Sequence, residues 1–425
     1  MTFVLCLVCV MLVPLAAAGL AMMHKGLGRS RSAAHAMLAS LCVLAVTAIV
    51  FVVLGFSWAG FAGGAARSFV VHGMHWDWIG AEPVFGGGVR FDGSVESLAM
   101  CLQMFTVGLA GMIPISAGAD RWRLAPICVS SALLAGFTYP LFAHWVWGGG
   151  WLAQLGSNFG LGAGFVDAGG SGTIQVVGGL TALSVAWILG ARRGKYSEDR
   201  MATAIPGHNI VSVLFGCMLA LVGWIGLNSA GSILFNGVAP SRIALVVINT
   251  MLSASAACLA AVAMTGVRYG KPDASLSANG WVAGLVAVSA GCAFVSPGSA
   301  IVIGLVAGAL TTYLVEVFEL RLYVDDPGGA ISVHAGAGMW GLLAVGIFAH
   351  SSSAPRGGQF LAQMVGVATL LGFILPLIHG LNLIVNRLMP YRVDSGGDWQ
   401  GMDVRELGAG AYPEFVIHSD EFVPR

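Results

Sequence analysis

Two acids in this chain are followed at the same spacing by a polar residue inside an apolar run. Asp167 is followed eight residues later by Gln175 and then by Gly179; Asp326 is followed eight residues later by His334 and then by Gly338. An imidazole takes up and releases protons near neutral pH, and an ionisable group within a membrane segment is a functional candidate by default. A glutamine amide donates and accepts hydrogen bonds but does not titrate. Together, Gln175 and His334 could bind a small hydrogen-bonding solute while handling its proton at one member only. The bland alternative for His334 is a hydrogen-bonded structural histidine. A polar residue at the equivalent place in the other half weighs against that. Asp167 fits capping of the free amides at a helix start, with a local negative field, better than direct ligation.

The elements that hold this pair must be membrane helices. Of 425 residues, 57% are hydrophobic and 9% charged, with mean hydropathy +0.84. A soluble domain carries roughly 25% charged residues, so most of this chain sits in lipid. A net charge of zero leaves no basic surface for nucleic acid. Runs long enough to span are 3–23, 34–59, 98–119, 124–147, 172–191, 207–230, 241–265, 279–296, 299–319, 333–350 and 361–386, eleven in all. The first of these reads as a membrane helix and not as a cleaved leader, because no basic segment precedes it. Loops after odd-numbered spans hold sixteen Lys and Arg residues and those after even-numbered spans hold four, which places the N-terminus outside and the C-terminus in the cytoplasm.

The two acids precede the fifth and tenth spans. Two five-helix halves would then run in opposite directions, as an inverted repeat with the site at its interface, followed by an eleventh helix. Gln175 and His334, roughly 12 Å along their helices, lie well inside the membrane. Glycine, at 61 residues, suits close helix packing in lipid. The eight cysteines all fall in apolar runs, and Cys6 and Cys9 form one CxxC without a second pair, so they read as small packing residues. The loop 60–97 holds His72, His75, Trp76 and Trp78, read as an interfacial aromatic cluster in preference to a metal site. Nothing in the chain calls for a cofactor. No metal-ligand cluster, nucleophile elbow or phosphate loop supports an enzyme.

At these residues the chain resembles the ammonium transporter (Amt/Mep/Rh) family. The stretch Ala143-His144-Trp145-Val146-Trp147-Gly148-Gly149-Gly150 matches its fourth-helix signature, Gly223-Trp224-Ile225-Gly226-Leu227-Asn228 its sixth, and the run from Asn279 to Ala287 its eighth. Asp325-Asp326-Pro327 followed by Val333-His334 resembles the approach to helix ten, and Gly401 to Gly408 with Ala411-Tyr412 the cytoplasmic tail. The resemblance covers about residues 12 to 412. It implies a homotrimer in the cell's inner (plasma) membrane, with one pore per subunit. Ammonium would be recruited at an outer vestibule and deprotonated, and ammonia would pass two adjacent histidines. It assigns Trp147 to the vestibule, with Trp224 in the sixth-helix motif. Ser232 falls within one position of the vestibule hydroxyl. For Trp147 the bland alternative is an interfacial anchor.

The chain departs from that family at Gln175, which stands where the first pore histidine is expected, so the proton relay should be damaged. The stacked gate phenylalanines are altered too: the sixth-span position is Leu227, and Phe105 is the candidate on the third. In the tail, Leu407 and Ala409 replace the usual histidine and acid, which puts regulation by the PII signal protein in doubt. The resemblance divides the chain into a membrane domain, 1–390, and a tail, 391–425. The terminal Val423-Pro424-Arg425 looks like a thrombin-site remnant and predicts a longer natural protein, in which a signalling domain, such as a histidine kinase, follows the tail. These departures favour an ammonium sensor with weak or no conduction. A conducting transporter is the alternative.

Overall fold

A computed structural model describes residues 2–349 and 356–412. Among them, ten helices are long and apolar enough to cross a membrane: α1 (Thr2–Leu27), α2 (Ser30–Ala59), α3 (Val95–Ala117), α4 (Leu124–Val146), α5 (Ser171–Leu189), α6 (Ile210–Asn236), α7 (Pro240–Tyr269), α9 (Pro297–Arg321), α10 (Ile331–Phe348) and α11 (Gly357–Leu388). An eleventh apolar helix, α8 (Ala274–Ser289), is shorter than the span expected there. At 16 residues it rises about 24 Å, less than the roughly 30 Å of a bilayer core. It stops where the Ser171 hydroxyl enters its hydrogen-bond ladder, donating to Val286 O at 2.7 Å. The Ala290 N–H donates to Ser171 Oγ at 2.8 Å, and its carbonyl accepts from Ala168 N at 3.0 Å.

Side-chain caps set several helix starts. Ser94, Asn209, Asp273 and Ser296 accept from the amide three residues on, opening α3, α6, α8 and α9. Small residues let the helices close. A Cβ on Gly223 would fall 2.0 Å from Ala16 N, and one on Gly308 2.1 Å from Ala257 O, so α6 meets α1 and α9 meets α7 backbone to backbone.

The connections after α1, α3, α5 and α9 meet at one end, through buried ions. The Arg192 guanidinium reaches Asp325 at 2.9 and 3.0 Å and Asp120 at 3.0 Å. Arg121 donates to the carbonyls of Gly190 and Asp325, both at 2.8 Å. Burial pushes the Asp325 carboxyl up, but Arg121 and Arg192 outweigh it and hold it at about 2. The segment after α11 packs on the same end. Asp403 accepts from His35 N at 2.7 Å and Ala34 N at 3.2 Å at the start of α2, and Glu406 accepts from Leu124 N at 3.1 Å at the start of α4. The tail therefore caps two membrane helices of its own chain. The terminal residues 413–425, and with them the Val-Pro-Arg motif, lie outside the described residues.

At the opposite end the loop 60–97 folds into a hairpin that the sequence reading did not expect: β1 (Ala66–Val71) pairs antiparallel with β2 (Met74–Gly80). Its two-residue turn, His72-Gly73, has φ of +49° and +76°, the mirror-type turn that suits twisted strands. Trp78 packs on Trp145 with ring centroids 5.1 Å apart, and Trp151 N donates to Asp77 O at 3.0 Å. The aromatic cluster thus fixes the hairpin to the segment following α4.

Candidate functional site

The two acids perform the same local task. Asp167 Oδ2 accepts from Gly172 N at 3.0 Å, Thr173 N at 2.8 Å and Thr173 Oγ1 at 2.9 Å. Asp326 Oδ2 accepts from Ile331 N at 2.7 Å. In both cases the first amide satisfied is five residues on. Each acid caps a helix that opens as a π turn, over Ser171–Val176 in α5 and Ile331–Gly336 in α10. Such widened turns are rare and concentrate at functional sites.

Gln175 and His334 sit on these two π turns, and they meet. His334 Nδ1 donates to Gln175 Oε1 at 2.7 Å; a carbonyl oxygen only accepts, so the proton belongs to Nδ1 and leaves Nε2 as the free base. Both residues are buried, and Gln175 Nε2 has no partner among the described residues. The glycine at the end of each motif explains why the pair can close. A Cβ on Gly179 would lie 2.4 Å from Ala335 N, and one on Gly338 would lie 2.8 Å from Ser171 O. Each glycine therefore abuts the π turn of the opposite helix. Where α10 begins, a cavity of about 450 Å³ opens between Leu27, Arg192, Lys195, Asn279, Asp325 and Ser332.

Trp147 is tied to the same acid from the other side: its indole Nε1 donates to the Asp167 carbonyl at 2.7 Å. A continuous path thus runs from Trp147 through Asp167 to the turn bearing Gln175, and on to His334. One face of Trp147 is not open. Phe235 stacks on it, with centroids 4.2 Å apart and planes within 8°. Ser232, one turn before Phe235 on α6, is buried, its hydroxyl 3.4 Å from Cys292 Sγ.

The remaining candidates are placed differently. Trp224 is buried, its Nε1 without a partner among the described residues, two turns before Ser232, where α6 closes on α1. Leu227 is buried between them. Phe105 is only partly buried. The next residue, Thr106, is the one turned fully inward, and its hydroxyl lies 2.6 Å from the Tyr139 hydroxyl. The ring stack at this site is Trp147 with Phe235. Sequence reading missed Phe235, although its position three residues after Ser232 puts both on one helix face.

A membrane-embedded helical protein with a recessed aromatic site leading to a buried hydrogen-bonding pair is the class that this architecture defines. The Ammonium Transporter Family model matches residues 4–412. Ammonium transporter Amt2 of Archaeoglobus fulgidus is 35% identical, over 99% of this chain and 90% of that protein. The Bacillus subtilis ammonium transporter is 30% identical, over 96% and 97%. Among solved structures, one titled "Sensor Amt Protein" superposes with a TM-score of 0.86 at 28% identity, covering 95% of this chain and 98% of that one. Candida albicans Mep2 superposes at 0.79 with 22% identity, over 93% and 86%, which supports the fold. The chain belongs to the ammonium transporter family.

Proposed function

We propose that this protein binds ammonium from outside the cell and acts as an ammonium sensor, with weak or no conduction. The observation that carries this reading is the bond between His334 and Gln175. The partner in the pore is an amide that cannot titrate, so a proton cannot be handed across this pair as it would be between two imidazoles. The stack of Phe235 on Trp147 supports it, because ammonium must displace that ring to reach the covered indole face. The likeness to the structure titled "Sensor Amt Protein" points the same way. In this reading α1 to α11 span the inner membrane with the N-terminus outside, and the tail faces the cytoplasm. The subunits form a homotrimer, and the docked tail passes the signal to a downstream domain or a PII-like partner.

A conducting transporter is the second reading, favoured by the Archaeoglobus fulgidus and Bacillus subtilis relatives that bear that name. Ammonium-pulse currents from proteoliposomes on a solid-supported membrane separate the two. A small transient whose decay is independent of protein density supports sensing. A sustained current that grows with ammonium concentration in the unaltered protein means that ammonium crosses despite Gln175, and refutes the sensing reading.

A further inference from the structure

Gln175 leaves His334 with one usable nitrogen. Nδ1–H is committed to the Gln175 carbonyl, so Nε2 must both receive a proton and release it. No second imidazole waits on α5, but one lies on α1. His24 is buried, and its Nδ1 has no partner among the described residues. It shares a small cavity with His334, Ser116 and Asn279, and Asn279 Oδ1 is likewise unpartnered. The free space, about 10 Å³, is at the lower bound for one water, and four polar side chains surround it.

His24 also lines a second cavity of about 10 Å³, with Ser32, His35, Asp120 and Trp122. There His35 Nε2 and Trp122 Nε1 lack partners too. Buried polar atoms are nearly always satisfied, so a file of unsatisfied ones, leading from the pore to the end where the tail docks, calls for an occupant. The groups that face this file are few. His334 comes from α10 and His35 from α2, and Asp120, held by Arg192 and Arg29, follows α3. The α6 helix brings Val213, Gly216 and the buried thiol of Cys217 against α1.

We propose that His24 is the proton acceptor for His334, and that a water-bridged line from His334 through His24 to His35 takes ammonium's proton out of the pore, around the glutamine. The proposal rests on the reading that this protein binds ammonium, and adds that the bound ion gives up its proton at His334. One N–H bond of ammonium breaks, its electron pair stays on nitrogen, and the proton joins the lone pair of His334 Nε2. His334 gives it to the cavity water, which passes a proton to the free lone pair of His24. His24 releases its other ring proton to the lone pair of His35 Nε2, where the charge rests as histidinium, and each donor returns to its neutral form. No electrons are transferred and no co-reactant is needed. The line ends beside the tail's anchor, because Asp403 holds the backbone N–H of His35.

The test is infrared difference spectroscopy, ammonium against buffer, on the ring-labelled protein in lipid nanodiscs, with binding followed separately by tryptophan fluorescence. Wild type should gain a histidinium band on binding. His24→Gln should lose that band while its ammonium affinity stays within about twofold. Adding Gln175→His to His24→Gln should restore it. An unchanged band in His24→Gln overturns the proposal, as does wild type that binds ammonium with no histidinium gain, a result that needs no variant. A wild type that binds no ammonium at all would instead sink the underlying reading.

Discussion

Ammonium reaches the face of Trp147 that Phe235 covers only if that ring leaves it. The two rings are 4.2 Å apart and nearly parallel, so no ion fits between them. An aromatic pair of this kind contributes about 0.5–1.5 kcal/mol beyond its buried area, and every 1.4 kcal/mol is about tenfold in affinity. Opening the stack should therefore weaken ammonium binding by about two- to tenfold relative to an uncovered indole. Phe235→Ala removes that cost in advance. Titration of intrinsic tryptophan fluorescence in detergent should give a dissociation constant lower by about two- to tenfold, with Phe235→Leu falling between. Weaker or abolished binding in Phe235→Ala would refute the reasoning, because Phe235 would then be part of the ammonium site and not its cover.

Four further outcomes follow from geometry already given. Gln175→His supplies a second titrating group, and should raise the sustained ammonium current of proteoliposomes at least about tenfold. Gly179→Val drives a side chain into the backbone of Ala335; it should cost at least about 1–3 kcal/mol, read as a lower midpoint of thermal unfolding in detergent. Asp403→Ala frees the amides of Ala34 and His35; it should loosen the tail by about 1–2 kcal/mol, read as faster tryptic cleavage at Arg405. Asp325 has a folded value below its unfolded one, 3.8 falling to about 2, so its contribution is complete above about pH 4 and is lost as pH falls through about 2. Unfolding midpoints measured from pH 5 downward should fall more steeply for wild type than for Asp325→Asn.

Much of the fold was legible because lipid leaves few alternatives: a chain with this little charge must satisfy its backbone within helices. The repeated Asp-x7-polar-x3-Gly pattern was legible for a stricter reason. Cap, π turn and close-approach glycine each act within one helix or at one crossing, so their spacing is written in the chain. Phe235 on Trp147 was not legible as a contact, because it depends on where the end of α6 falls relative to the end of α4. His24 was hidden for a related cause: it falls just past the expected span 3–23, and only the longer helix Thr2–Leu27 and the approach of α10 give it a buried neighbour. The early end of α8 was lost because Ser171 claims Ala290 from another part of the chain. The hairpin in 60–97 had a local signal, a His-Gly turn between β-branched and aromatic residues, that the emphasis on its histidines passed over.

The two π turns tie α5 and α10 to one another through the side chains they carry. A π turn holds one residue more than the α turn it replaces, so losing that residue would close it to an ordinary turn and swing the side chains inside it by about 100° while the helix beyond stays in phase. Gln175 would swing away from His334, or His334 from Gln175, and the residue left behind would face its partner's absence in hydrocarbon. Single-residue deletions should thus be tolerated in neither helix alone. Length at these two places is therefore constrained as a pair, although the side chains they carry are an amide and an imidazole.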